Sequence, residues 1–400
     1  MAGTSALGKR SGRAVITVTN LHEIMQTGLR SIRVLAALAG VCLLDCVWSP
    51  PAGAQDSYEA QLRAERKERE KDPAWKPEQQ QLATIKVGDG KQAGALLNFC
   101  VYNDGNLLAC WSVNQKDEGA APSKKKGASG NALRVYSPDG QLLKSLPLPV
   151  APEAVCVDSE GTIYVGGNGR LLKLDQQGKV LLTVDTPASS EPEGDSKETQ
   201  EMLKQLGTTD KKEAENYKRM LKQRRGKVTG IAVTTQDVFV SCPSPDDSGY
   251  CIYRLDRELA NPKRVVEKLR GCCGQMDVQA SGDQLWIPHN ARHLVECRDR
   301  EGKAVSEFGK GGRKPEQFGG CCEPKNLRLT RDGEVLAAES GPPTCIKKFS
   351  RDGKFLGVVA LLDDDASCVR VSVDVSPDGK RFYLLDTEKN AIRVFGSKAP

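Results

Sequence analysis

The chain has 400 residues, enough for two average domains or for one large all-β domain. Hydrophobic residues make up 38% and charged residues 28%, and the mean hydropathy is −0.45, which is typical of a buried core under a hydrated surface. The formal charge of +6 falls to about +3 without the five basic and two acidic residues of 1–54, too small and scattered an excess for a nucleic-acid partner. The 39 glycines and 21 prolines favour a turn-rich β fold.

Residues 1–54 have the pattern of a signal peptide and leader. Arg30 and Arg33 precede the apolar run Val34–Leu44, and Ala52–Ala54 supplies the small residues of a cleavage site. We therefore predict export to the periplasm or the medium. Because the apolar run is too short to span a bilayer, no transmembrane anchor is expected after processing. Met25 is an alternative start.

A lipid anchor is the less favoured alternative. The leader cysteines Cys42 and Cys46 follow Val41 and Asp45 rather than a small residue. Next, residues 55–81 form a charge-dense spacer, in which glutamates and basic residues recur at helical spacing between Tyr58 and Asp72. A solvated helix or a disordered segment both fit this pattern.

Residues 82–400 contain a repeated unit of alternating apolar strands joined by Asp-Gly or similar turns. The first unit begins NFCVYNDGNLLAC, and the last reads VSVDVSPDGKRFYLLD followed by AIRVFG. Six such units can be aligned, and the pattern supports four strands per blade. This pattern predicts an all-β fold, a six-bladed β-propeller.

The last unit has only three strands before the chain ends, whereas an additional strand, Leu82–Val87, precedes the first unit. Since a circular array of sheets must close, we expect Leu82–Val87 to be the outer strand of the last blade.

The repeat resembles the NHL-repeat propellers of exported bacterial proteins. The pattern N-x-I-x-V-F is best preserved in Asn390–Phe395, and the resemblance covers roughly residues 82–398. In that family some members are lyases or lactonase-like hydrolases with metals at the channel mouth, and many others are ligand-binding or scaffold modules. The resemblance therefore implies the fold and leaves the function open.

Most irregular segments map to one face of the predicted propeller. This loop face consists of the loops that leave each outermost strand and the hairpins between second and third strands. It includes the insertion 187–227, in which two capped apolar patterns predict a short helical hairpin. The second helix carries six basic residues within 218–227. They indicate either a solvated helix end or contact with an anionic partner.

Fourteen cysteines are present, twelve of them after residue 54, and an exported domain of this kind is normally oxidised. Cys242 and Cys251 flank a hairpin between adjacent strands, where their separation suits a disulfide. The other disulfide candidates are Cys272, Cys273, Cys321, Cys322, Cys345 and Cys368. For these, structural disulfides, vicinal disulfides at a binding rim, and thiolate metal ligation or redox exchange remain open. Cys100 and Cys156 are expected to be buried small residues.

Asp277, Arg328 and Asp374 each lie five residues before the turn glycine of their blade and have apolar neighbours on both sides. Strand alternation therefore places their side chains towards the channel. They would form either an Asp–Arg–Asp ion network or a ligand or metal site. The remaining candidates for ligand binding on this face are Glu323, Asn326 and His289.

The sequence contains no G-x-S-x-G, HExxH or phosphate-binding loop, and only His289 and His293 follow the leader. No catalytic or metal-ligating residue is assigned and no cofactor is predicted, although the acidic residues leave room for Ca²⁺ or another divalent ion. We interpret the protein as an exported, non-catalytic scaffold that binds a protein or small-molecule ligand through its loop face. A metal-dependent lactonase-like or lyase-like enzyme and a cysteine-based redox or metal-handling protein are the alternatives.

Overall fold

The computed structural model describes residues 52–88, 94–113, 130–190, 215, 219, 223–271, 274–362 and 368–398. The predicted signal peptide therefore lies outside the described residues, apart from its last three. A helix, α1 (Ala52–Lys71), occupies most of the charged spacer and is followed by a short 3-10 turn at Pro73–Trp75. None of the described helices is long and apolar enough to cross a membrane.

The described strands form six antiparallel sheets of four strands each, the blades. Blade 1 consists of β2 (Gly94–Val101), β3 (Leu107–Val113), β4 (Ala132–Tyr136) and β5 (Leu142–Pro147). Blade 2 consists of β6 (Ala154–Val157), β7 (Ile163–Gly167), β8 (Arg170–Leu174) and β9 (Val180–Asp185). Blade 3 consists of β10 (Gly230–Val233), β11 (Asp237–Pro243), β12 (Tyr250–Asp256) and β13 (Lys263–Leu269).

Blade 4 consists of β14 (Gln279–Ser281), β15 (Gln284–His289), β16 (Leu294–Asp299) and β17 (Ala304–Phe308). Blade 5 consists of β18 (Asn326–Leu329), β19 (Val335–Glu339), β20 (Thr344–Phe349) and β21 (Phe355–Leu362). Blade 6 consists of β22 (Val373–Val375), β23 (Arg381–Asp386), β24 (Ala391–Gly396) and β1 (Gln80–Lys86). A single helical turn, α2 (Pro187–Ser190), follows β9, and a 3-10 turn spans Asn290–Arg292.

The six blades form a closed ring. The innermost strand of each blade contacts that of the next, and β22 of blade 6 contacts β2 of blade 1. β1 pairs with β24, with Ile85 opposite Ile392, so the predicted closure by the N-terminal strand is confirmed. The strand begins at Gln80, two residues earlier than expected. The six-bladed all-β propeller is likewise confirmed.

The hydrophobic core lies between the blades. Each pair of neighbouring blades encloses a cluster of buried apolar side chains contributed by both sheets, including Ile85 and Trp111 between blades 6 and 1. Because both faces of a blade pack against neighbouring blades, most residues of the middle strands are buried, including all five of β7 and all five of β19. Glycines such as Gly333 and Gly353, both at φ +85°, complete the tight turns on the face opposite the loops, the turn face.

Of the insertion 187–227, the structure describes only α2 and residues 215, 219 and 223–227. The described positions 215, 219 and 223–225 are helical. The predicted helical hairpin as a whole lies mainly outside the described residues.

Candidate functional site

The polar residues predicted to line the channel lie together at the axis. One cavity of about 30 Å³ is lined by Asp277, Asn326, Arg328 and Asp374 and by both Cys100 and Cys156. A cavity of this size holds a water molecule or a monatomic ion but no organic ligand.

These axial residues connect neighbouring blades. The next blade donates a main-chain N–H to each of three of them: Leu327 to Asp277 Oδ2 (3.3 Å), Val373 to Asn326 Oδ1 (2.7 Å) and Val101 to Asp374 Oδ2 (2.8 Å). The Asn326 amide also donates to Asp277 Oδ2 at 2.7 Å. The oxygen atoms that could bind a ligand are thus used to hold blades 4, 5, 6 and 1 together.

Arg328 forms an ion pair with Asp374, with 2.7 Å between Nε and Oδ1. Burial raises the pKa of Asp374, and the arginine acts in the opposite direction. Burial also raises the pKa of Asp277, to about 6. One half of the expected Asp–Arg–Asp network is therefore an ion pair, whereas Asp277 contacts Asn326 instead of the arginine.

His289 lies apart from the axial cavity in a separate polar cluster. Its Nε2 accepts a hydrogen bond from Arg270 N at 2.9 Å, so Nδ1 carries the proton and donates to Glu296 at 2.6 Å. Burial alone would raise the pKa of Glu296. The hydrogen bonds from His289 and Arg298 outweigh this effect and lower the pKa to about 2. Both ring nitrogens of His289 are therefore used in hydrogen bonds that stabilise the blade 4 hairpin.

Three cysteines from two loops of the loop face form a thiol cluster. Cys321 and Cys322 lie in the loop entering blade 5, and Cys368 lies in the loop entering blade 6. The Cys321 sulfur is 3.4 Å from that of Cys322 and 3.1 Å from that of Cys368. All three sulfur atoms lie within 4.8 Å of one another, with Cys322 buried and the other two exposed.

Buried polar side chains hold these loops in place. Glu323, 1% exposed, accepts hydrogen bonds through Oε1 from Ser340 and Gly341 at 2.9–3.1 Å. Burial raises the pKa of Glu323 to about 8. Lys325, which is fully buried, donates to the carbonyl of Val369, the residue after Cys368, at 2.9 Å.

The backbone of Cys368 is itself unusual, with φ at +55°. A non-glycine residue in this region costs about 1–3 kcal/mol and persists where its surroundings enforce it. Here the surroundings are the Lys325 contact and the buried Gln275 amide, which donates to Val371 O at 2.6 Å. The contacts of the neighbouring main chain therefore offset the conformational cost at Cys368.

Sequence reasoning missed a second buried group under the same loop. Lys347, 1% exposed, lies 2.6 Å from Glu339, and Glu339 accepts a hydrogen bond from Gly319 N at 2.7 Å. The Lys347 ammonium also lies 4.9 Å from the ring centre of Trp75, in the segment between α1 and β1. The sequence does show a lysine, Lys347, within the apolar strand β20. Its contact with Trp75 could not be predicted, because that residue is distant in sequence.

No disulfide joins any two of the described cysteines. Cys242 and Cys251 are direct partners in the β11–β12 register, a separation within the range of disulfides. Their bridge stays a prediction. Cys345 is buried in β20, where burial strongly raises its thiol pKa. Cys272 and Cys273 lie outside the described residues.

A larger cavity, of about 350 Å³, opens on the turn face between blades 1 and 2. Its lining includes Tyr102, Asp104, Lys144 and Gln176. Tyr102 and Lys144 already donate to the carbonyls of Gly161 and Gln176. The cavity is thus a groove between two blades whose polar groups are mostly paired with each other.

No family model matches this chain, and no curated protein matches it. Similar solved structures include a gluconolactonase from Xanthomonas campestris, at 12% identity and a TM-score of 0.48, covering 81% of this chain and 97% of that one. Another is the WD40 domain of Pan2 from Neurospora crassa, at 10% identity and a TM-score of 0.46, covering 82% of this chain and 98% of that one. Neither likeness bears on function.

Proposed function

We propose that this protein is an exported, non-catalytic binding propeller that holds a thiophilic metal ion at its loop face through Cys321, Cys322 and Cys368. The observation that carries the proposal is the convergence of three sulfur atoms, from two loops, within 4.8 Å. Thiolate ligands select soft ions such as Cu(I) and Zn(II) over Ca²⁺ or Mg²⁺.

The geometry suits such an ion with small adjustments. At a metal–sulfur distance of about 2.3 Å, three sulfur atoms around one ion lie about 4 Å apart. The distances of 3.1 and 3.4 Å from the Cys321 sulfur would each lengthen by less than about 1 Å. Glu323 and Lys325 hold the main chain of the two loops, so binding would require little reordering.

Binding is favoured over catalysis by the state of the axial carboxylates. A metal-dependent hydrolase needs several carboxylate oxygens open to a metal and a substrate. Asp277 and Asp374 instead accept main-chain N–H groups of the next blade and border a cavity of about 30 Å³. The thiol cluster on the loop face uses none of these carboxylates.

The test is titration of the reduced, full-length protein with Cu(I) under anaerobic conditions, in competition with a chromophoric chelator. We expect one equivalent to bind and the affinity to fall at least tenfold in Cys321→Ser and Cys368→Ser. Cys156→Ser, at the axis, is the matched control and should bind like the wild type. Equal affinity in all four proteins would overturn the proposal, and Zn(II) and Ca²⁺ titrations then define the selectivity.

Export is the second part of the proposal. It is supported by the basic pair Arg30 and Arg33, the apolar run and the small residues Ala52–Ala54. Intact-mass measurement of protein recovered from the periplasm or the medium of a bacterial host should give a chain that starts at Gln55. A cell-associated product that retains Met1 or Met25 would contradict export.

A further inference from the structure

The three cysteines of the cluster differ in exposure to solvent. Cys321 and Cys368 are both exposed, come from loops of different blades and have their sulfur atoms 3.1 Å apart. Cys322 is 1% exposed. Thiol–disulfide exchange requires that the attacking thiolate and the disulfide can reach each other. Solution disulfides therefore have access to Cys321 and Cys368 and much less to Cys322.

We infer that Cys321 and Cys368 are a redox pair that closes into a disulfide between blades 5 and 6 and thereby releases the metal ion. The inference rests on the proposed function only for the release of the ion. The exchange partner is a low-molecular-weight or protein disulfide, the class of oxidant expected in an export compartment.

The alternative bridge, between the adjacent residues Cys321 and Cys322, is disfavoured by backbone geometry. Consecutive Cα atoms are about 3.8 Å apart, whereas disulfide-linked Cα atoms usually lie about 4.4–6.8 Å apart. The shorter separation of the Cys321 and Cys368 sulfur atoms, 3.1 Å against 3.4 Å for Cys321 and Cys322, favours the other pairing. In addition, Lys325 holds the main chain at Val369, the residue after Cys368.

The chemistry balances in two steps. One thiolate of the pair attacks a sulfur atom of the partner disulfide, forms a mixed disulfide and displaces the first partner thiolate. The second thiolate then attacks the protein sulfur of the mixed disulfide and displaces the second. The two protons of the cysteine thiols end on the two released thiols, and the two cysteines are oxidised as the partner disulfide is reduced.

Closure removes the metal site because a disulfide sulfur is neutral and a poor ligand. Two of the three thiolates of the cluster become disulfide sulfur atoms, so the affinity for the ion falls sharply. The two loops therefore bind the ion when reduced and are crosslinked without it when oxidised.

The experiment treats the reduced, full-length protein with glutathione disulfide and reads both a non-reducing peptide map and Cu(I) occupancy. We expect one crosslink, Cys321 to Cys368, with at least a tenfold loss of bound Cu(I) in step with it. Cys322→Ser should keep the crosslink while binding Cu(I) more weakly before oxidation. Cys368→Ser should instead retain glutathione on Cys321, and Cys156→Ser should behave like the wild type.

The outcomes separate the two ideas. A Cys321–Cys322 crosslink, or no crosslink in a protein that binds Cu(I), would overturn the redox pair. A Cys321–Cys368 crosslink in a protein that never bound Cu(I) would leave the redox pair standing and refute the metal-binding function.

Discussion

At the scale of single residues, the buried polar groups at the axis connect neighbouring blades. Asp277, Asn326 and Asp374 each accept a main-chain N–H from the next blade, so they replace the hydrogen bonds that water would make there. Their roles are therefore testable through stability.

The substitution Asp277→Asn should flatten the pH dependence of stability. Burial raises the pKa of Asp277 from its ordinary 3.8 to about 6, so the folded chain keeps a proton that the unfolded chain releases between these values. The free energy of unfolding of the wild type should therefore fall as the pH rises, by about 2 kcal/mol between pH 4 and pH 6, and level off near pH 7. Asparagine does not titrate, so this component should be missing from the variant. Urea unfolding at pH 4, 5, 6 and 7 measures it, and parallel curves would show that Asp277 has no such role.

The substitution Arg328→Met should destabilise the fold by leaving Asp374 buried without its cation. Loss of one partner of a buried pair costs about 3–5 kcal/mol. Because the Arg328 side chain is 31% exposed, we expect about 2–3 kcal/mol at pH 7. Without the arginine the pKa of Asp374 rises further, so the loss should shrink as the pH falls and that carboxyl is protonated. The double variant with Asp374→Asn is the control and should recover most of the loss in urea unfolding. No recovery would mean that the arginine acts through another contact.

At the scale of elements, the N-terminal segment holds blades 5 and 6 in two ways. Strand β1 completes blade 6 by pairing with β24. Before it, Glu78 N and Gln79 N donate to the carbonyls of Val358 and Val359 on blade 5, and Trp75 packs over buried Lys347. The strand was predictable from the count of strands, whereas the tryptophan contact was not.

Three N-terminal truncations should therefore differ in stability. A chain that starts at Asp72 loses α1, whose described residues are mostly exposed, and should unfold nearly as the chain from Gln55 does. A start at Gln80 also removes Trp75 and should cost about 3 kcal/mol. A start at Gly88 also removes β1, exposes its partners on β24 and should cost the most. Thermal unfolding by circular dichroism ranks the three, and equal melting temperatures for the Gln80 and Gly88 chains would contradict closure by β1.

At the scale of the whole molecule, the thiol cluster lies where two blades meet, because Cys321 and Cys322 belong to the loop entering blade 5 and Cys368 to the loop entering blade 6. An ion held by both loops binds only the folded ring, since the sulfur atoms are 47 residues apart along the chain. If the proposed ion binds, its binding and the stability of the ring are thus coupled.

Addition of Cu(I) to the reduced protein should raise its melting temperature in a concentration-dependent way. At a free ion concentration 100 times the dissociation constant, the stabilisation is about 2.7 kcal/mol. Differential scanning calorimetry should detect this shift in the wild type and in Cys156→Ser. The shift in Cys368→Ser should be about half as large or smaller, and a shift of equal size there would place the ion elsewhere.

The sequence by itself determined the architecture, because period-two alternation and turn glycines recur in every blade and a missing last strand requires the first to close the ring. It also placed Asp277, Arg328 and Asp374 at the axis, since strand alternation decides which side chains face inward. Only the tertiary structure decided what these residues contact: the partner of Asp277 is Asn326 on the next blade, and His289 turns to Glu296. It likewise selected Cys321, Cys322 and Cys368 from the many cysteines. The reason is physical: local patterns record what each strand buries, whereas contacts between loops of different blades depend on how the ring closes.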